Sequence, residues 1–192
     1  MSPPTQASSR IAAPTVVASR EALREAVRTA RARGQSIGVV PTMGALHAGH
    51  LSLIEASRRE CDFTIVTIFV NPAQFGPHED FQRYPRTLEA DLAAISRIGA
   101  ELVFAPELTE MYGPRHATFV EMEGVAEPLE GSCRPGHFRG VATIVLKLFN
   151  LTSPDRAYFG QKDYQQTLVV RRLVADLDLP IEIRVCPIVR EP

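Results

Sequence analysis

The length, composition and charge of this chain limit what it can be. Its 192 residues are 45% hydrophobic, which is enough to bury one substantial core, and the length favours a single domain. The 21 basic and 22 acidic residues nearly cancel, and neither sign forms a long block. A surface that attracts nucleic acid or an anionic membrane is therefore not expected, and small molecules are the expected partners.

Cysteine usage and hydropathy indicate the compartment. Cys61, Cys133 and Cys186 lie far apart and form no Cys-x-x-Cys pair, which argues against a disulfide framework and a zinc ribbon. No apolar run is long enough to cross a bilayer, and the N-terminus lacks a charged segment followed by an apolar one. We therefore expect a soluble protein in a reducing cytoplasm.

The opening residues differ from the rest in composition. Residues 1–15 are rich in Ser, Pro, Ala and Thr and hold too few large apolar side chains to offset the entropy of ordering. We expect a flexible tail there and a single domain over residues 16–192. A first helix is predicted after the tail, with Ser19 as its N-cap and Gly34 as its stop signal.

Strands and helices alternate along the remaining chain. The segment Ile37–Thr42 predicts a buried strand, and a glycine-rich turn and a helix follow it. Further strands are predicted over residues 63–70, 101–105, 156–159 and 181–189, helices from Thr87 and over residues 141–151 and 163–177, and long loops over residues 71–86 and 130–139. This alternation indicates right-handed crossovers and a parallel sheet in an open, doubly wound α/β architecture, which binds ligands at the carboxyl ends of its strands.

The clearest chemical signal is the sequence Pro-Thr-Met-Gly-Ala-Leu-His-Ala-Gly-His over residues 41–50, where a strand turns into a helix. The spacing places His47 and His50 on one helical face. A helix N-terminus attracts phosphate through its unpaired N–H groups and its dipole, and Gly49 lets a triphosphate approach the backbone. Imidazoles in this position can donate hydrogen bonds to a phosphorus centre under in-line attack, so the motif indicates nucleotidyl transfer.

Two other interpretations of the histidine pair stay open. A histidine near the end of a strand is often structural, and two histidines can form part of a metal site. Zinc would need further ligands, however, and the cysteines are poorly spaced to supply them.

Five distinctive sequence blocks follow one another along the chain. They are residues 41–50, Phe-Val-Asn-Pro-Ala-Gln-Phe-Gly at 69–76, Tyr-Pro-Arg-Thr at 84–87, Arg-Pro-Gly-His-Phe-Arg-Gly-Val at 134–141, and Tyr-Phe-Gly-Gln-Lys-Asp-Tyr-Gln-Gln at 158–166. Together and in this order they resemble the pantothenate synthetase family. The resemblance extends over roughly residues 16 to 192 and implies a Rossmann-like fold of the HIGH-type nucleotidyltransferase superfamily.

The resemblance implies an ATP-dependent ligase that makes pantothenate, a precursor of coenzyme A. In such an enzyme the pantoate carboxylate attacks the α-phosphorus of Mg-ATP, and pantoyl adenylate and pyrophosphate form. The amine of β-alanine then attacks the activated acyl carbon, and pantothenate and AMP are released. The family also implies a homodimer, and the apolar strand over residues 63–70 is a candidate for a position near its interface.

Roles for individual residues follow from the resemblance. His47, His50 and Lys162 are implied to be catalytic, through contacts with ATP phosphates. Gln74, Gln166 and Met43 are implied to bind pantoate. The implied ATP-binding residues are Met43, His47, His50, Gly160, Lys162, Asp163 and Val189, and Asp91 is implied to help hold Mg²⁺ through water.

Several of these residues have a structural alternative. Asp163 is a plausible cap for the helix that follows it, and Asp91 is a plausible solvated residue near a helix N-terminus. Met43 is as consistent with core packing, and Lys162 with an ordinary surface position. Arg134, His137 and Arg139 form a cationic stretch without ranked roles, and Cys133 beside it is expected to be an inert thiol.

The family continues beyond the last residue of this chain into a Met-Ser-Ser-Arg segment and a small C-terminal domain. Since those hydroxyls and that cation would contact the triphosphate, we expect this chain to bind pantoate but to turn over poorly. Another nucleotidyltransferase with the same histidine motif, such as a cytidylyl- or adenylyltransferase, is one alternative. A noncatalytic ligand-binding domain is the other.

Overall fold

The computed structural model describes residues 13–76, 79 and 81–190. Residues 1–12 of the expected tail lie outside this range. Thirteen helices and strands follow one another along the described residues: β1 (Thr15–Val17), α1 (Arg20–Ala32), β2 (Ile37–Thr42), α2 (Ala48–Glu60), β3 (Phe63–Ile68), α3 (Leu88–Ile98), β4 (Leu102–Phe104), α4 (Leu108–Met111), α5 (Glu130–Cys133), α6 (His137–Thr152), β5 (Arg156–Gly160), α7 (Tyr164–Asp176) and β6 (Glu182–Cys186).

The strands form one six-stranded sheet in the order β1-β4-β3-β2-β5-β6. Every pair of neighbours is parallel, and β2 and β3 pair over their full length, from Ile37 opposite Phe63 to Thr42 opposite Ile68. From β2 the chain proceeds outward through β3 and β4, and from β5 it proceeds outward in the opposite direction to β6. The predicted doubly wound α/β fold is confirmed.

Apolar side chains on both faces of the sheet explain why the central strands lack polar alternation. Alternate residues such as Val39 and Ile65 pack under α1, α6 and α7. The residues between them, such as Val40 and Val66, pack under α2 and α3. Because successive side chains of a strand point to opposite faces of the sheet, the same short strands pack against both layers of helices.

The helix signals in the sequence act as predicted at α1. The Ser19 hydroxyl accepts a hydrogen bond from the Ala22 N–H at 3.2 Å, and Gly34 adopts a φ of 70° just beyond the helix. Leu23 and Val27 are buried on one face. No helix among the described residues is long and apolar enough to span a membrane.

Three expectations need correction. A short strand, β1, begins at Thr15, inside the expected tail, and pairs with β4. Residues 130–139 are not one long loop, because α5 begins at Glu130 and α6 begins at His137. The last strand ends at Cys186, before Val189.

The strand expected near a subunit interface lies in the middle of the sheet. β3 is bonded to a strand on each side, and Ile65 and Val66 are fully buried between the helical layers. Residues 63–68 therefore belong to the core, and a position of this strand near a subunit interface stays a prediction.

Replacing Gly38 with alanine should destabilise this fold. An added Cβ would overlap the Ser57 hydroxyl oxygen on α2, and that buried hydroxyl is hydrogen-bonded to Thr64 at 2.8 Å. We expect Gly38→Ala to lower the free energy of unfolding by about 1–3 kcal/mol in urea titrations, the usual cost of overpacking. Gly113→Ala is the control, because a Cβ there meets no atom within 4 Å. Equal stabilities for the two variants would contradict this packing.

Candidate active site

A cavity of about 410 Å³ opens beyond the carboxyl ends of β2 and β5. These two strands are neighbours at the point where the strand order reverses. Open α/β sheets bind ligands in such a crevice, because the loops after the strands diverge there. The polar lining consists of Thr42, His47, His50, Asn71, Gln74, Tyr84, Glu130, Arg134, His137, Lys162, Asp163 and Gln166, and the apolar lining includes Met43, Phe69, Phe159 and the α6 residues Val141, Ile144, Val145 and Leu148.

The two histidines of the motif cap the first turn of α2. His47 is the N-cap residue, and its Nδ1 accepts a hydrogen bond from the Gly49 N–H at 3.1 Å. Nδ1 of His50 accepts from the His47 N–H at 3.4 Å. The ring centroids lie 4.1 Å apart. The rings therefore lie side by side at the mouth of the cavity, where the motif predicts them.

This capping determines which ring nitrogens are donors. Because Nδ1 accepts a backbone N–H in both rings, a neutral ring carries its hydrogen on Nε2. Burial, with a further contribution from His47, lowers the pKa of His50 from 6.5 to about 4, although the Asp163 and Asp91 carboxylates oppose the shift. His50 is therefore neutral near pH 7 and offers one Nε2–H donor.

Gly49 leaves room for the His47 ring, a role that the sequence does not indicate. A Cβ at Gly49 would lie 2.9 Å from Cε1 of His47, so a larger residue would displace that ring. The Gly49 N–H is also already bonded to His47. The imidazole, more than a free backbone N–H at this position, is thus the group that the turn presents to a ligand.

Lys162 and Asp163 reach the cavity from a 3₁₀ turn, Gln161–Asp163, between β5 and α7. The Lys162 ammonium donates to Oδ1 of Asp163 at 2.7 Å, and both side chains are largely exposed. Asp163 makes no side-chain cap bond to α7, so the capping interpretation is wrong. Lys162 is on the surface, but it is on the part of the surface that lines the cavity.

Gln74 is held in a fixed orientation by its neighbours. Its Oε1 accepts from Asn71 Nδ2 at 3.0 Å, and its Nε2 donates to the Met43 sulfur at 3.1 Å. The Tyr112 hydroxyl in turn donates to Oδ1 of Asn71 at 2.8 Å. Burial raises the pKa of Tyr112 to about 12, so this donor stays protonated. Met43 therefore touches both the cavity and Gln74 and is not merely core packing.

The start of α6 supports the turn that carries Gln74. An added Cβ on Gly140 would overlap the carbonyl of Ala73, so only glycine permits this close approach. The Gly140 carbonyl accepts from Asn71 Nδ2 at 3.1 Å, and Nδ1 of His137 lies 2.9 Å from the Gln74 carbonyl oxygen. Gly140 and His137, both in the fourth sequence block, thus position a residue of the second block.

The cationic stretch is paired with carboxylates. The Arg134 guanidinium makes two hydrogen bonds to Glu79, one of them 2.8 Å long, and these hold the pKa of Glu79 below its usual range. Arg139 lies over the Phe119 ring, 3.8 Å from its centroid, and pairs with Glu121. Arg134 and His137 line the cavity, whereas Arg139 does not.

The two glutamines at the start of α7 have different surroundings. Gln166 lines the cavity and is half-buried. Gln165 is buried, accepts from the Glu130 N–H at 3.0 Å, and donates to the carbonyls of Val125 and Pro128. Of the pair, Gln166 is the one whose side chain is available to a ligand.

Three of the predicted site residues are not part of the cavity lining. Gly160 is the last residue of β5, and Val189 lies beyond β6 and is exposed. Asp91 is 3% exposed, so the solvated interpretation is wrong, and its two oxygens accept backbone N–H groups of Ala45 and Leu46. Within the described part of the chain, no group of three or more His, Cys, Asp or Glu residues could hold a metal ion.

Sequence reasoning assigned no role to several polar lining residues, among them Asn71, Tyr84 and Glu130. Asn71 had a usable signal, because an asparagine before a proline predicts a capped turn, and its Oδ1 does cap Ala73. Tyr84 lies in a recognised block, but no spacing rule directs it to the cavity. No sequence pattern places Glu130 at the cavity, since its position depends on a hydrogen bond to Gln165, thirty-five residues later.

An all-parallel sheet whose order reverses beside a polar cleft defines an α/β protein of the Rossmann-like, doubly wound class. Within that class, the family model for pantoate-beta-alanine ligase matches residues 15–192, so the chain belongs to that family.

Curated relatives agree with this assignment. The pantothenate synthetase of Roseiflexus sp. (strain RS-1) is 63% identical over 167 residues, which cover 86% of this chain and 60% of the relative. That of Moorella thermoacetica is 60% identical over 170 residues, covering 88% of this chain and 60% of the relative. The chain thus spans about 60% of the length of these relatives.

Solved structures share the fold. Pantothenate synthetase from Thermus thermophilus superposes with a TM-score of 0.88 at 52% identity, covering 92% of this chain and 63% of that one. Pantoate-beta-alanine ligase from Francisella tularensis, complexed with beta-gamma ATP and beta-alanine, superposes with a TM-score of 0.89 at 40% identity, covering 94% of this chain and 69% of that one.

The low pKa of His50 should make stability depend on pH. Its folded pKa of about 4 lies below 6.5, so the unfolded chain binds more protons between these values. This contribution to the free energy of unfolding is therefore constant above pH 6.5 and is lost as the pH falls towards 4. We expect the difference in stability between wild type and His50→Gln to shrink from pH 7 to pH 5 in urea titrations. A pH-independent difference, or an NMR titration midpoint of His50 near 6.5, would contradict this.

Proposed function

We propose that this chain forms the ATP- and pantoate-binding part of an enzyme that condenses pantoate with β-alanine to give pantothenate. The supporting observation is a cavity lined by imidazole and ammonium donors, His47, His50 and Lys162, together with the carboxamides of Gln74 and Gln166. The family assignment and the ligands bound by the Francisella tularensis relative agree with this chemistry.

The first step is an attack of the pantoate carboxylate on the α-phosphorus of ATP. An oxygen–phosphorus bond forms to pantoyl adenylate, the bond to the bridging oxygen breaks, and pyrophosphate leaves. Negative charge grows on the equatorial and leaving oxygens during this displacement, so fixed donors accelerate it. The Nε2–H groups of His47 and His50 and the Lys162 ammonium are suited to this task, since each presents an N–H donor to the cavity.

The second step is an attack of the neutral β-alanine amine on the activated acyl carbon. A carbon–nitrogen bond forms, the acyl–oxygen bond to AMP breaks, and one amine proton is released. Water has to be kept away from the mixed anhydride during this step, because it would otherwise hydrolyse it. For this step the chain supplies mainly orientation of the two reactants.

The mixture of polar and apolar side chains in the cavity lining suits pantoate. Pantoate carries a carboxylate, two hydroxyls and a carbon with two methyl groups. An uncharged carboxamide can donate to the carboxylate and accept from a hydroxyl, which suits Gln74 and Gln166. The α6 residues Val141, Ile144 and Val145 give the methyl groups an apolar wall.

Magnesium, the homodimer and the cytoplasmic location belong to the same proposal. The described residues do not themselves assemble a metal site, and the Asp91 oxygens already accept two backbone N–H groups. Mg²⁺ would therefore be bound mainly by the phosphates of ATP, as is usual for this ion. It would neutralise phosphate charge there.

Gln74→Ala should weaken pantoate binding. The complex would lose one hydrogen bond to the pantoate carboxylate, and a hydrogen bond to a charged group is worth about 1.5–3 kcal/mol. We therefore expect the Kd for pantoate to rise roughly tenfold to hundredfold in calorimetric titrations. Gln35→Ala is the matched control, because Gln35 precedes β2 and lies near the amino ends of the strands, away from the cavity. Equal pantoate affinity for both variants would contradict the assignment of Gln74.

The adenylation step can be tested by isotope exchange. We expect the protein to exchange labelled pyrophosphate into ATP only when pantoate is present, and His50→Ala to slow this exchange about 10²- to 10³-fold, the usual cost of removing such a donor. Pantoate binding by the variant is the control for an intact fold.

Three outcomes would overturn the proposal. They are exchange without pantoate, unchanged exchange by His50→Ala, and exchange supported by phosphocholine or nicotinamide mononucleotide in place of pantoate. The last would identify a different nucleotidyltransferase. AMP release with each substrate omitted in turn then reports the second step.

A further inference from the structure

Asp91 contacts the turn that joins β2 to α2. It lies in the first turn of α3, and its carboxylate is buried. Oδ2 accepts from the Ala45 N–H at 3.0 Å, and Oδ1 accepts from the Leu46 N–H at 2.8 Å. The Thr87 hydroxyl also donates to Oδ2, at 3.2 Å. Each carboxylate oxygen thus binds one of two successive backbone donors.

The turn needs such a partner. Gly44 and Ala45 are consecutive left-handed residues, with φ values of 83° and 52°. Glycine adopts this conformation freely, but alanine does not. Successive backbone N–H groups in a turn can form a small anion-binding concavity. Here a side chain of the protein itself supplies the anion.

The position of the turn connects it to the histidines. Leu46 is followed at once by His47, whose ring caps α2 and touches His50. A shift of residues 44–46 would therefore move both imidazoles relative to the cavity. The carboxylate also packs directly on the turn, because a Cβ on Gly44 would lie 3.1 Å from Oδ2.

We propose that Asp91 is a positioning residue that holds residues 44–46 in their left-handed conformation, and with them the imidazoles of His47 and His50. Asp91 does so through two backbone hydrogen bonds, not through a metal ion. The consequence for ATP rests on the function proposed above, but the anchoring of the turn does not.

Amide hydrogen exchange tests the anchoring directly. Asp91→Asn keeps the shape of the side chain but presents an amide N–H₂ to one of the two backbone donors. We expect the Ala45 or Leu46 amide to exchange roughly tenfold faster or more, the effect of losing a hydrogen bond to a charged group. Unchanged exchange at both amides would overturn the proposal.

Glu89→Gln is the matched control. Glu89 is an exposed carboxylate in the same first turn of α3, so the variant removes the same charge from the same helix end. We expect wild-type exchange at both amides. Equal acceleration in the two variants would show that charge at the helix end is responsible, and would overturn the proposal.

A milder variant keeps the test valid if Asp91→Asn does not fold. Thr87→Val removes only the hydroxyl donor to Oδ2. We expect a smaller acceleration that is greatest at Ala45, whose N–H shares this oxygen. No acceleration at Ala45 would count against the proposal.

Nucleotide binding separates positioning from metal binding. Affinity for a nonhydrolysable ATP analogue is measured by calorimetry over a range of Mg²⁺ concentrations. A positioning role predicts that Asp91→Asn weakens binding by the same factor, about tenfold, at every Mg²⁺ concentration. A metal-binding role predicts a higher half-saturating Mg²⁺ concentration and rescue by excess Mg²⁺, and this result would overturn the proposal. Failure of the wild type to bind the analogue would refute the proposed function, while the exchange result would still decide the role of Asp91.

Discussion

The backbone N–H groups at the start of α2 need acceptors, and the whole candidate site depends on how they obtain them. A helix begins with several N–H groups that its own carbonyls cannot reach. In this chain two imidazole rings supply acceptors through Nδ1, so that local helix capping fixes the tautomer of each neutral ring. The same hydrogen bonds that start the helix therefore determine the chemistry, since they leave Nε2–H as the donor of each ring.

The sequence was most informative where one short segment determines its own structure. The strand Ile37–Thr42, the turn after it and the capped start of α1 all follow from local spacing and from Ser19, Gly34 and the glycine-rich motif. The parallel sheet with right-handed crossovers follows from the alternation of strands and helices. The fold class and the position of the cleft could thus be predicted, and the cleft collects most of the predicted side chains.

The sequence was less informative where a contact joins distant segments. The role of Asp91 depends on α3 packing beside a turn about 45 residues earlier, and its acidic character alone is equally consistent with solvent or metal. Glu130 reaches the cavity through Gln165, and β1 forms only because β4 offers an edge. Helix α6 begins earlier than its apolar spacing indicates, because its first turn packs on the turn that carries Gln74. Such contacts are decided by tertiary packing, which local propensity does not encode.

The contact between Gln74 and Met43 has a consequence for how the cavity would receive an oxyanion. A thioether sulfur is a poor proton acceptor, so the carboxamide N–H that points at it forms a weak bond. An oxygen ligand that replaced the sulfur would give the Gln74 N–H group a strong hydrogen bond in place of a weak one. No strong hydrogen bond would have to be broken first. Asn71 meanwhile prevents the amide from flipping, so little rotational freedom remains to be lost. The preference of the Gln74 N–H group for an oxygen ligand over an apolar one would thus arise because the Met43 sulfur is a weak acceptor.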